Sequence, residues 1–187
     1  MKLSKSQISN LFFLLVIALL LIPQTRKPIQ IFLNKGFALF SPSIESIEDQ
    51  ITLKSYDWKL KDENGAVFNF ETTKGKIVFI NYWATWCPPC IAEMPSIQAL
   101  YNDYHDKVEF VFVTTDTYSE IDVFLKKHHY SFKVYRPLSN DAGLFDVPSI
   151  PRTFLIDKQG NIVIDESGAA NWNSVKVRAT IDALLKS

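Results

Sequence analysis

Cys87 and Cys90 are the two cysteines of the chain, and they stand two residues apart in Trp83-Ala84-Thr85-Trp86-Cys87-Pro88-Pro89-Cys90. Thiols at that spacing can close a disulfide with little backbone movement, or ligate a metal if other donors converge on them. Two cysteines are too few for a small disulfide-scaffolded domain and for a four-cysteine zinc site. Glu93 follows three residues after Cys90. On a helix that spacing puts it on the same face. There a carboxylate can accept a thiol's proton, and burial would raise its own pKa. The alternative for Glu93 is an exposed glutamate near a helix start.

These residues need a strand to deliver them and a helix to hold them. Ile77–Trp83 is a nearly continuous apolar run with Asn81 inside it, as expected of a central strand buried on both faces. After Cys87 the residues Cys90, Met94, Ile97, Tyr101 and Tyr104 recur at three- and four-residue spacing, which predicts a helix kinked at Pro95. Upstream, Tyr56–Leu60 and Ala66–Phe70 read as two strands joined by the turn Asp62-Glu63-Asn64-Gly65. Downstream, Val108–Thr114 predicts a second buried strand, Ser119–His129 an amphipathic helix, and Phe132–Tyr135 a short strand. Asn140–Phe145 suggests a helical turn, Thr153–Ile156 and Ile162–Asp165 a hairpin ended by Gly168, and Ser174–Leu185 a final helix. Strand–helix alternation followed by a hairpin implies an α/β fold: a mixed sheet with helices on both faces.

The chain has 187 residues and no net formal charge, with 20 basic and 20 acidic side chains. The charge is unevenly spread. Residues 1–40 carry Lys2, Lys5, Arg26, Lys27 and Lys35 and no acid, which leaves 15 basic and 20 acidic side chains in 41–187, a net of −5. A body of that sign argues against nucleic acid as a partner. Leu11–Ile22 is unbroken apolar sequence behind Lys2 and Lys5, the pattern of a membrane anchor or secretory signal over residues 1–28. No small-x-small pattern follows it, so an uncleaved anchor is the expectation. Residues 29–50 are apolar and then acidic, and read as a linker or a segment lying along the membrane surface. The folded domain is expected over 51–187.

The run Val78-Phe79-Ile80-Asn81-Tyr82-Trp83-Ala84-Thr85-Trp86-Cys87-Pro88-Pro89-Cys90, with Glu93 and Pro95 after it, resembles a thioredoxin-fold active site. Ile150-Pro151-Arg152-Thr153-Phe154 resembles the cis-proline loop of that fold. Within it, the chain is similar to the membrane-anchored TlpA/ResA-like group. The apolar N-terminus, the extra N-terminal hairpin and Cys-x-x-Cys-x-x-Glu-x-Pro carry the likeness. So does the 61-residue interval from Cys90 to Pro151, which leaves room for a central insertion. The resemblance covers roughly 51–187 and implies a thioredoxin-like sheet with an N-terminal β-hairpin extension. It implies thiol–disulfide exchange without a cofactor, most often in the reducing direction, for example before haem attachment to apocytochromes. Client proteins with disulfides or thiols would be the partners, and a membrane thiol donor of the DsbD/CcdA type the electron source. The place would be the cytoplasmic membrane, with the domain in the periplasm or otherwise outside the cytoplasm.

Each residue then has an expected role. Cys87 lies where a helix N-terminus lowers a thiol's pKa below the ~8.5 of free cysteine, and is the nucleophile. Cys90, one turn in, resolves the mixed disulfide. The resemblance gives Glu93 the task of tuning the pair, and Asn81 stands where minimal thioredoxins carry a buried acid. It makes Pro151 cis, with the Ile150 backbone pairing to an extended client. Trp86 is expected as an exposed contact surface and Trp83 as core. Arg152 would contact substrate or only solvent. Two other readings remain: an oxidase or isomerase of folding disulfides, and a copper metallochaperone drawing on His105, His128 or His129. The spacing C-x-x-C is one residue short of the C-x-x-x-C of the latter.

Overall fold

The computed structural model describes residues 4–138, 145 and 147–187. Lys5–Leu21 (α1) and Pro23–Phe37 (α2) come first, followed by strands Lys59–Lys61 (β1), Val67–Asn69 (β2) and Val78–Tyr82 (β3). Then come Pro88–Tyr104 (α3), Glu109–Val113 (β4), Tyr118–His128 (α4), Val134–Pro137 (β5), Arg152–Ile156 (β6), Ile162–Ser167 (β7) and Val175–Lys186 (α5). Among the described residues the sheet has seven strands in the order β2-β1-β5-β4-β3-β6-β7. β4 runs parallel to β3 and β5, while β6 and β7 return antiparallel. This is the mixed α/β sheet expected.

Period-two alternation sorts the central strands between two cores. Phe79, Phe110, Phe112 and Leu155 face one cluster, into which α3 sends Cys90, Met94 and Ile97, α4 sends Phe124, and α5 sends Val177 and Ile181. Val78, Ile80, Val111, Val113, Phe154 and Ile156 face the other, closed by Trp58, Leu60, Phe70 and Phe145. The helical turn expected over Asn140–Phe145 lies, Phe145 apart, outside the described residues.

The N-terminal hairpin is shorter than its apolar sequence suggests. Asp62 is buried, accepts hydrogen bonds from the backbone N–H of Asn64 (3.0 Å) and Ala66 (2.8 Å), and pairs with Lys133 at 2.7 Å. Gly65 occupies the turn's left-handed position at φ 82°, and β1 is shortened at its other end, beginning only at Lys59. Phe70 leaves the strand because Asn69 caps a 3-10 turn over Phe70–Thr73. α3 runs unbroken through Pro95. β5 starts two residues later than Phe132, whose ring packs in the core without strand pairing.

Residues 29–50 differ most from a linker. α2 continues to Phe37 and packs against α3. The chain beyond is tied to the domain: Asn171 N–H donates to Phe40 O at 2.7 Å, Glu45 N–H to Val163 O at 2.9 Å, and Ser43 N–H to Glu166 Oε2 at 3.0 Å. α1 is capped by Ser4 and Gln7 and keeps most of its apolar side chains exposed. Among the described residues no single helix is long and apolar enough to cross a membrane, whereas α1 and α2 pass together but are bent by 88°.

Candidate active site

Cys87 is the N-cap of α3, and its Sγ accepts from the Cys90 N–H at 3.3 Å. Pro88 and Pro89 fill the first turn, where a missing N–H breaks no helical bond. The two sulfurs are joined in a disulfide. Cys90 is fully buried and Cys87 is 3% exposed, its Sγ 3.8 Å from Ile150 O. The Ile150–Pro151 peptide is cis. Beside them a cleft of about 460 Å³ runs between the end of α2 (Asn34, Phe37, Phe40) and Pro89, Ile150 and Pro151.

Glu93 is fully buried one turn below Cys90. Its Oε1 accepts from Asn81 Nδ2 at 3.0 Å, and its Oε2 from Trp172 Nε1 at 2.9 Å and Ala170 N–H at 3.2 Å. Burial pushes its pKa up to about 8, against the three donors, which favour the ionised form. Asn81 also donates to Thr153 Oγ1 at 2.7 Å, while its Oδ1 has no partner among the described residues. Burial thus holds the carboxyl where it can change protonation near neutrality, one helical turn from Cys90.

Trp86 is 62% exposed, as expected, but it is not free to swing. Its Nε1 donates to Asp116 Oδ1 at 3.1 Å, and Asp116 Oδ2 accepts from the Thr85 N–H at 2.6 Å. Trp83 is core, packed on Phe124 and Phe132. Arg152 is spent on a two-point ion pair with Asp165 at 2.6 and 2.7 Å. The histidines lie elsewhere: His105 stacks on Tyr101, His128 on Tyr130, and His129 ends α4 at φ 58°.

Asp116 and Trp172 escaped the sequence reading. Trp172 follows β7 by a loop, 79 residues from Glu93, with no local pattern to link them. Trp172→Phe keeps the ring that packs edge-on against Phe79 and deletes the donor. Losing a hydrogen bond to a charged group costs ~1.5–3 kcal/mol. The pH midpoint of Cys90 reactivity in the reduced protein is therefore expected to move upward by about one pH unit or more. Thiol alkylation across pH 6–10 measures it, and an unmoved midpoint would show that the bond is only structural.

A disulfide at the N-cap of a helix, a cis-proline loop against it and a buried acid behind it define a thiol–disulfide oxidoreductase of the thioredoxin fold. The chain belongs to the Redoxin family, whose model matches residues 42–185. It is 33% identical over 135 residues to the thiol-disulfide oxidoreductase ResA of Bacillus anthracis, covering 68% of this chain and 76% of that protein. To the thioredoxin-like protein YneN of Bacillus subtilis it is 34% identical over 130 residues, 67% and 76% of the two chains. Among solved structures, a putative thiol-disulfide oxidoreductase from Bacteroides vulgatus matches with a TM-score of 0.58 and 34% identity, over 72% of this chain and 96% of that one.

Proposed function

We propose that this oxidoreductase reduces client disulfides outside the cytoplasm, held to the membrane by residues 1–28. The reduced protein begins with Cys87 as thiolate, favoured by the positive end of α3. It attacks one sulfur of the client disulfide. A Cys87–client bond forms and the client's second sulfur leaves as a thiolate and takes up a proton. Glu93, ionised, accepts the proton of Cys90. The Cys90 thiolate then attacks Cys87 Sγ, releasing the second client thiol and leaving the Cys87–Cys90 disulfide. Two electrons have passed to the client. A membrane dithiol donor of the DsbD/CcdA type returns them.

The observation that carries this reading is the buried Glu93 beneath Cys90. An enzyme that only hands its disulfide on needs no base for its inner thiol in that half-reaction. One that must attack with Cys90 does. The Ile150 backbone beside Pro151 offers an extended client strand-like hydrogen bonds within the cleft, and the exposed Trp86 adds a contact surface on the Cys87 side. Such pairing reads main chain rather than side chains, which suits clients such as apocytochromes awaiting haem. The similarity to a thiol-disulfide oxidoreductase, ResA, supports disulfide exchange as the chemistry.

Membrane attachment is supported by α1, whose 17 residues rise about 26 Å. A bilayer core of ~30 Å takes up such a mismatch by local thinning at fractions of a kcal/mol per Å. The direction is tested by the reduction potential of the Cys87/Cys90 couple, read in glutathione or dithiothreitol redox buffers. A value near thioredoxin's ~−270 mV is expected, and one near ~−120 mV would make the protein an oxidant.

A further inference from the structure

We infer that α2 lies flat on an anionic bilayer surface and holds the active-site face of the domain against it. The inference rests on the anchoring reading of α1 and goes beyond it to an orientation.

α2 has two faces with different occupants. Ile31 and Asn34 are half-buried toward the domain, Lys27 Nζ donates to Thr85 O at 3.5 Å, and α3 packs below. On the opposite side Phe32 and Leu33 are 76% and 60% exposed. Leu39, just beyond the helix, is exposed as well. A soluble body does not leave such a strip to water without a partner for it.

Three observations select the bilayer as that partner. First, α1 departs from the apolar side. Thr25, one turn before Ile29, donates its hydroxyl to Leu19 O, and the two helices meet at 88°. If α1 runs along the membrane normal, α2 lies in the membrane plane with Phe32 and Leu33 turned toward the acyl chains and the domain turned away. Second, the charge fits. Arg26 and Lys35 of α2 are exposed, no acid occurs in 1–40, and residues 41–187 carry a net of −5. An anionic surface attracts these basic residues and repels the rest of the body. Third, the arrangement is continuous. The helix that meets lipid on one face meets the Thr85–Pro89 segment and the Ile150–Pro151 cleft on the other. The disulfide is therefore held roughly one helix diameter, ~10 Å, from the headgroups, within reach of a thiol carried by a membrane protein.

The test uses the full chain with Cys87→Ser and Cys90→Ser, and a single introduced cysteine carrying an environment-sensitive fluorophore. The labelled positions are Leu33→Cys on α2, Leu15→Cys on α1, and Asp106→Cys beyond the far end of α3. In vesicles of phosphatidylcholine and phosphatidylglycerol the label at 33 is expected to be quenched by shallow nitroxide lipids. The label at 15 should be quenched by deep ones and that at 106 by neither. Quenching at 15 without quenching at 33 overturns the orientation and leaves the anchor. Quenching at 33 without 15 keeps the surface helix and removes the span. A second arm uses the active protein. Phe32→Glu with Leu33→Glu should lower the rate on a disulfide attached to a lipid headgroup about tenfold through lost effective concentration, with the rate on the same disulfide free in solution unchanged. An equal effect on both substrates would overturn the inference.

Discussion

Cys87→Ser is expected to abolish disulfide reduction, a loss on the order of 10³-fold or more to the uncatalysed background. Serine keeps the N-cap hydrogen bond that the Cys87 sulfur accepts from the Cys90 N–H, so the start of α3 should survive. What is lost is the only sulfur at the mouth of the site, since Cys90 has no exposed surface. Cys90→Ser should behave differently. Cys87 still attacks, but nothing resolves the product, and a Cys87–client disulfide accumulates. Non-reducing electrophoresis and mass spectrometry of membranes carrying the Cys90→Ser protein would identify the client. If Cys87→Ser keeps more than a small fraction of the activity, or Cys90→Ser captures no client, the division of labour between the sulfurs is wrong.

The placement of the two sulfurs was legible in the sequence because its causes are local. The apolar run Ile77–Trp83 makes β3, the two prolines fix the first turn of α3, and Cys87 falls at its cap. The Ile-Pro pair at 150–151 was placed by its resemblance to the cis-proline loop of the fold, and its peptide is cis. The rest depended on contacts that sequence spacing does not encode. Asp116 ties down Thr85 and Trp86 from the loop after β4, and an aspartate before a helix reads equally well as a capping residue. Trp172 reaches Glu93 from beyond β7. α2 was hard to read for a physical reason: Pro28 inside it argues against a helix, and Phe32 and Leu33 are left exposed. Its pattern resembles a linker because only one face of it packs on the domain.

Glu93→Gln should slow reduction of clients by about 10²-fold at pH 7, the usual contribution of a positioned base. In the wild-type protein the rate should climb with pH as the Glu93 carboxylate forms, with an inflection near its pKa of about 8. In the glutamine variant that inflection should vanish, leaving only the titration of the thiols. Stability should move in a manner that separates this role from packing. Glu93 has its pKa raised in the folded state by burial, so below the ordinary carboxylate range both folded and unfolded chains hold the proton and stability is at its fullest. Between about pH 4.5 and 8 the unfolded chain releases the proton and the folded one keeps it, so stability falls by up to ~1.4 kcal/mol per pH unit, roughly 5 kcal/mol across the window. Above it both are ionised and the slope ends. Glutamine has no such slope. Its amide hydrogens would meet the Asn81 Nδ2 donor, at a cost of ~1–3 kcal/mol. The variant is thus expected to be less stable than the wild type near pH 5 and more stable near pH 8.5, with the two curves crossing between. Urea midpoints of the oxidised proteins at several pH values would show the crossing. Parallel curves would mean that the folded state does not raise the pKa of Glu93, leaving a carboxylate too weakly basic to take the proton of Cys90 near neutrality.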